Sequence, residues 1–249
     1  MRRAPLLDLS LELPRTWAAH AQLAASRTRL SRVSRGDGHP VLVLPGFLAS
    51  DLSTVPLRRY LARLGYSAYG WGLGRNLGAT GSLLTGLARL LDRVRTSHQE
   101  TVSLVGWSLG GVFARELARR SPAAIRQVIS LGSPFNGDRI PGLVASSEPL
   151  GVPSTAVYTR TDGIVDWRAT VQRPDQRSEN VEVRGSHCGL GVNPAVLMVV
   201  ADRLALPEGA WTAFRAPAEL RHWYPRAWPG PADGPVPVTL IPEERSWIA

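Results

Sequence analysis

Short apolar runs alternate with amphipathic stretches along this chain, and the alternation predicts strands interleaved with helices. Val41-Leu42-Val43-Leu44 is a continuous apolar run closed by Pro45-Gly46-Phe47, the pattern of a strand buried on both faces of a parallel sheet. Residues 66–70, 102–105, 125–131, 156–158 and 181–183 are further strand candidates. Between them Leu57, Tyr60, Leu61 and Leu64 recur at helical spacing up to Gly65, with Ser53 the expected cap and Pro56 in the first turn. Leu83, Leu84, Leu87, Leu90, Leu91 and Val94 trace a second helical stripe. A third helix is expected from Gly110-Gly111 to Ser121-Pro122, and Asn193-Pro194 opens a last one reaching about Leu206. The alanine- and leucine-rich residues 15–35 predict an amphipathic helix ended by Gly36 and Gly38, with His20 on its surface. Such a chain makes an α/β fold, a mostly parallel central sheet with helices on both faces.

Three segments depart from the alternation. The glycine-rich stretch 70–81 matches neither a lysine-bearing P-loop nor a dinucleotide fingerprint and reads as a surface loop. The connection from Gly132 to Pro153 is short for a large cap domain. Residues 207–249 are rich in proline, tryptophan and arginine, and Trp211, Trp223 and Trp228 are the expected anchors of an extended arm. That arm would pack on the domain itself or on a neighbouring subunit, the second case making a homo-oligomer. The 249 residues are read as a single domain with its core at about 41–206.

Composition narrows the setting. A hydrophobic content of 44% supports a sizeable core, yet no run reaches the roughly 18 uncharged apolar residues of a membrane helix. Acids and prolines occupy the place of a signal peptide's apolar segment, and Cys188, the single cysteine, has no internal disulfide partner. A cytoplasmic location is expected. The net charge is +9 and all 29 basic residues are arginine, scattered among acids. No specific nucleic-acid partner follows from that dispersal, whereas peripheral contact with anionic lipid or acidic polymer does. No cluster of His, Asp, Glu or Cys has metal-ligand spacing, so neither metal nor cofactor is expected.

Chemistry concentrates around Gly106-Trp107-Ser108-Leu109-Gly110, a G-x-S-x-G turn between strand and helix that would hold a serine hydroxyl clear of the backbone. Asp162 and His187 each follow a predicted strand, where the active sites of parallel sheets gather. Each has a rival: Ser108 could be an ordinary helix cap, Asp166 beside Trp167 is an alternative acid, and His222 is an alternative base. Cys188 reads as a small packing residue.

Leu44-Pro45-Gly46-Phe47, the elbow with Gly111, Leu131-Gly132-Ser133-Pro134, Thr161-Asp162-Gly163-Ile164-Val165 and Ser186-His187 together resemble the α/β-hydrolase family, and within it small bacterial lipases and esterases. The resemblance implies a serine carboxylic-ester hydrolase, with Ser108 as nucleophile, His187 as base, Asp162 as acid, and the backbone N–H groups of Phe47 and Leu109 as oxyanion hole. A small-molecule or lipid ester would be the substrate. A thioesterase, an acyltransferase, or a non-catalytic binding protein with a basic surface are the alternatives. The two antiparallel strands that often open this fold are not evident before Val41, and the arm matches no named pattern.

Overall fold

The computed structural model describes residues 6–136, 143 and 146–225. Among the described residues six strands form one sheet: β1 (Pro40–Leu44), β2 (Ser67–Tyr69), β3 (Val102–Trp107), β4 (Ile125–Leu131), β5 (Ser154–Tyr158) and β6 (Ser178–Glu182). Their order is β2-β1-β3-β4-β5-β6 and every adjacent pair is parallel. The helices are α1 (Leu6–Ser10), α2 (Glu12–Ala25), α3 (Arg27–Leu30), α4 (Asp51–Leu64), α5 (Gly81–His98), α6 (Leu109–Arg120) and α7 (Pro194–Leu204).

The side-chain period of a strand explains how both faces become core. Val41 and Val43 point into one cluster with Leu57 and Leu61 of α4 and Val196 and Val200 of α7. Leu42 and Leu44 point the other way, against Leu87 and Leu91 of α5 and Phe113 of α6. Val41, Leu42, Val43 and Leu44 are all fully buried, which is why that stretch of β1 is apolar without interruption.

Several boundaries differ from the sequence expectation, each through a tertiary contact. α4 starts after Ser50, upstream of the expected cap Ser53, because the Asp51 carboxylate accepts the backbone N–H groups of Trp71 and Gly72 and ties the helix start to the loop after β2. Pro56 therefore lies inside the helix and not in its first turn. β6 begins at Ser178, before the apolar run at Val181, because buried Glu179 is satisfied by Thr155 Oγ1 at 2.8 Å, the Phe214 N–H at 2.7 Å and the Arg203 guanidinium at 3.2 Å. The single helix expected over 15–35 is two, α2 and α3, with α2 starting upstream of that window and α1 lying wholly before it. Pro14 falls in the first turn of α2, where a missing N–H costs nothing.

The described part of the C-terminal segment packs on its own domain. Phe214, Leu220 and Tyr224 are buried in the α4–α7 cluster, and the Tyr224 hydroxyl donates to the Ala195 carbonyl at 3.0 Å. These residues anchor the segment more fully than the tryptophans: Trp223 packs partly buried with Arg29 at 5.9 Å from its ring, Trp211 is also only partly buried, and Trp228 lies outside the described residues. Between β4 and β5 the described residues 132–136, 143 and 146–153 form no helix or strand. No described helix is long and apolar enough to cross a membrane.

Candidate active site

The strand order reverses direction at β1: the chain moves outward from β1 to β2, then returns to place β3 on the other side. The helices leaving β1 and β3 lie on opposite faces, α4 in one cluster and α6 in the other. Loops that part in this way open a crevice beyond the carboxyl ends of the two strands. Leu44 and Gly106 are register partners, so the Pro45–Leu48 loop and the Gly106–Ser108 turn stand side by side there.

Ser108 forms the turn between β3 and α6 with φ 53° and ψ −125°, a conformation that costs a non-glycine residue roughly 1–3 kcal/mol. Its N–H donates to the Leu131 carbonyl at 2.8 Å, so β4 helps hold the turn. The glycines on either side are required by close approach. A Cβ on Gly110 would lie 2.2 Å from the Leu44 carbonyl oxygen, and one on Gly106 would lie 2.3 Å from the Gly111 Cα. Although Ser108 precedes α6, its side chain makes no capping bond, and its Oγ has no hydrogen-bond partner among the described residues.

The neighbouring loop is pinned by Asn76, which is fully buried. Its Nδ2 donates to the Pro45 carbonyl at 2.9 Å and its Oδ1 accepts the Gly78 N–H at 3.1 Å. The Asn76 carbonyl accepts the Leu48 N–H at 2.7 Å, and its own N–H donates to the Ala49 carbonyl at 2.8 Å. Leu48 is held at φ 60° by this clamp. The N–H groups of Phe47 and Leu109 are left without an acceptor among the described residues. The Phe47 side chain is 56% exposed, while Leu109 is buried.

Asp162 and His187 come from the loops after β5 and β6 and meet at 2.7 Å between Oδ2 and Nδ1, both buried. The other carboxylate oxygen, Oδ1, accepts the N–H groups of Ile164 at 2.9 Å and Val165 at 2.7 Å. The His187 carbonyl accepts from Trp107 Nε1 at 3.1 Å, tying the histidine loop to the residue before Ser108. Asp166 is placed elsewhere: its Oδ1 accepts the Arg168 N–H at 3.0 Å and caps a short 3-10 helix, Trp167–Thr170. His222 is exposed in another, Ala218–Trp223, against the Trp223 ring. Burial, reinforced by the Glu12 carboxylate, pushes the Cys188 thiol up to about 11 and keeps it protonated at neutral pH.

Nothing in the sequence marks Glu12 or Asn76 as neighbours of this candidate site, and Trp107 is read there only as part of the turn around Ser108. Glu12 at the start of α2 accepts backbone N–H groups from both the Asp162 and His187 loops, across separations that no local pattern encodes. Among the described residues, no three His, Cys, Asp or Glu side chains converge as metal ligands.

The fold is that of the α/β-hydrolases. The structure is similar to Aspergillus fumigatus lipase B, with a TM-score of 0.56 and 16% identity over 72% of this chain and 56% of the fungal one. It is similar to a monoacylglycerol lipase from Paleococcus ferrophilus, with a TM-score of 0.53 and 13% identity over 70% of this chain and 96% of that one. A YdeN-like hydrolase from Pectobacterium atrosepticum aligns at a TM-score of 0.50 and 18% identity over 75% of this chain and 100% of that one. The chain thus spans little more than half of the fungal lipase and nearly all of the other two. No protein-family model and no curated protein sequence matches the chain.

Proposed function

We propose that this protein is a serine carboxylic-ester hydrolase in which Ser108, His187 and Asp162 act as nucleophile, base and acid. The observation that supports the reading is a strained Ser108, its Oγ unbonded among the described residues, in a turn that Trp107 Nε1 ties to the loop of a buried Asp162–His187 pair at 2.7 Å. The order of the three along the chain, Ser then Asp then His, is the one α/β-hydrolases use.

In this reading His187 Nε2 takes the Ser108 proton as Oγ attacks the acyl carbon, a bond that commonly tightens only once substrate is in place. Asp162 holds Nδ1–H and stabilises the imidazolium. The negative charge that forms on the former carbonyl oxygen is received by the N–H groups of Phe47 and Leu109, each worth about 3 kcal/mol. The alcohol leaves with the proton from His187. Water then gives its proton to His187 as it attacks the acyl carbon, and His187 passes that proton to Ser108 Oγ as the acyl–Oγ bond breaks and the carboxylic acid leaves.

Phe47, Leu48, Leu77 and Ile164 stand exposed on the loops that carry these groups, which supports an ester with an apolar acyl or alcohol portion. The lipases among the similar folds agree with that choice. A fluorophosphonate probe tests the reading: it should label Ser108 in the native protein, and Ser108→Ala should abolish both labelling and hydrolysis of p-nitrophenyl esters. An unlabelled native protein, or ester hydrolysis surviving in Ser108→Ala, would exclude it.

A further inference from the structure

We infer that Glu12 is a positioning residue of this site, one carboxylate that holds the acid loop and the base loop in register and thereby sets how His187 is presented to Ser108. The inference rests on the hydrolase reading above.

Glu12 is the first residue of α2 and is almost wholly buried, a rare state for a carboxylate unless its oxygens are satisfied. Oε1 accepts the Gly163 N–H at 2.7 Å and the His187 N–H at 3.0 Å, while Oε2 accepts the Cys188 N–H at 3.0 Å. A single planar group therefore bridges the residue after Asp162 to the backbone of His187 itself. Charge-assisted bonds to three amides are short and directional, so the two loops cannot shift relative to each other without breaking at least one.

The rest of the same helix face supports this role. Glu12, Thr16 and Ala19 follow helical spacing on one side of α2. Thr16 Oγ1 lies 3.1 Å from Ser186 Oγ, next to His187, and Ala19 Cβ packs near Gly189. Arg15 donates to the Thr161 carbonyl at 3.0 Å, next to Asp162, and also to Asp8 Oδ1 at 2.8 Å. The acid loop is seated so closely that a Cβ on Gly163 would come within 2.4 Å of the Asp8 carbonyl oxygen. α1 and α2 thus form a clasp over both loops, with Glu12 as its polar centre.

A group that positions His187 affects turnover more than binding, because a displaced base weakens the transition state while the acyl pocket is untouched. The test compares Glu12→Ala and the isosteric Glu12→Gln with the native chain, rates being expressed per folded protein, with thermal unfolding as the fold control. Glu12→Ala should lose on the order of 10²-fold in kcat with KM within about twofold. Glu12→Gln keeps the two bonds to Oε1 but turns an NH2 group against the Cys188 N–H, and should lose about tenfold, between native and Ala. In a His187→Ala background neither change should lower the residual rate further, since the positioned group is gone.

If Glu12→Ala does not fold, the Gln variant alone decides. Native kcat per folded protein in Glu12→Gln overturns the inference, as does a loss that persists undiminished in the His187→Ala background. Absence of labelling in the native protein would instead sink the hydrolase reading, so the two failures are distinguishable.

Discussion

Replacing Asp162 by asparagine isolates the tautomer of His187, and the hydrogen bonds around the carboxylate set the size of the effect. Oδ1 of Asp162 accepts two backbone N–H groups and Oδ2 accepts one proton from His187 Nδ1. An asparagine amide has one acceptor oxygen, which two N–H donors hold more strongly than one does. The amide oxygen therefore stays on Ile164 and Val165, and the NH2 group faces the imidazole. Nδ1 must then accept, which puts the proton on Nε2 and leaves no site to receive the Ser108 proton. Turning the amide over restores the right tautomer but forfeits two bonds to regain one, a net penalty of about 1–3 kcal/mol, or roughly 5- to 150-fold in population. Loss of the negative charge that stabilises the imidazolium brings the fall in kcat to about 10³–10⁴-fold, near 4–5.5 kcal/mol. The assay is kcat for p-nitrophenyl ester hydrolysis per folded protein, with thermal unfolding as the fold control. Asp166→Asn, which touches only the Arg168 cap, should stay within about twofold of the native chain. Activity of Asp162→Asn within fivefold of native, or a larger loss in Asp166→Asn, would refute the reasoning.

Asn76→Ala removes the side chain that holds both the Pro45 carbonyl and the Gly78 N–H, and should cost about 2–4 kcal/mol of stability. It should also reduce kcat on the order of 10²-fold by loosening the Phe47 N–H; denaturant melts and turnover report the two effects, and native kcat would separate the loop from the oxyanion role. Gly110→Ala drives a methyl against the Leu44 and Pro45 carbonyl oxygens and should lose about 3 kcal/mol or more, measured by the urea midpoint; a native midpoint would contradict the close approach. His39 is buried between Asp37, at 2.5 Å, and Ser103, at 2.9 Å; burial, with the Arg126 charge, holds its imidazole below 6.5 despite the opposing hydrogen bond that the Asp37 carboxylate accepts. The unfolded chain then binds a proton that folded His39 refuses, so this stabilisation is present above about pH 6.5 and lost on acidification. The melting temperature should fall between about pH 7.5 and 5, and His39→Gln should flatten that slope; an unchanged slope would remove His39 as its source.

The sequence by itself determined what depends on neighbours in the chain. Continuous apolar runs mark strands buried on both faces, and leucine stripes mark the helices that cover them, because both signals are periodicities read over a few residues. Gly106 is legible for the same reason, since a Cβ there would meet Gly110 and Gly111 of its own turn, whereas Gly110 is legible only through the motif, its excluding contacts coming from Leu44 and Pro45. Placement of Asp162 and His187 behind successive strands follows from the alternation, since parallel strands bring all their carboxyl ends to one edge.

Only the tertiary structure decided which acid meets the imidazole and what holds it there. Asp162 and Asp166 both follow β5 closely, and it is the path of the loop, fixed by the Ile164 and Val165 amides, that turns the first toward His187 and the second toward Arg168. Glu12 reads locally as an acid between two leucines at a helix start, yet its partners lie about 150 and 175 residues along the chain. Asn76 sits in a glycine-rich loop with no periodicity, and its importance appears only when that loop folds under Pro45. These groups satisfy backbone atoms, which are the same in every residue, so the chain carries no side-chain pattern that announces them.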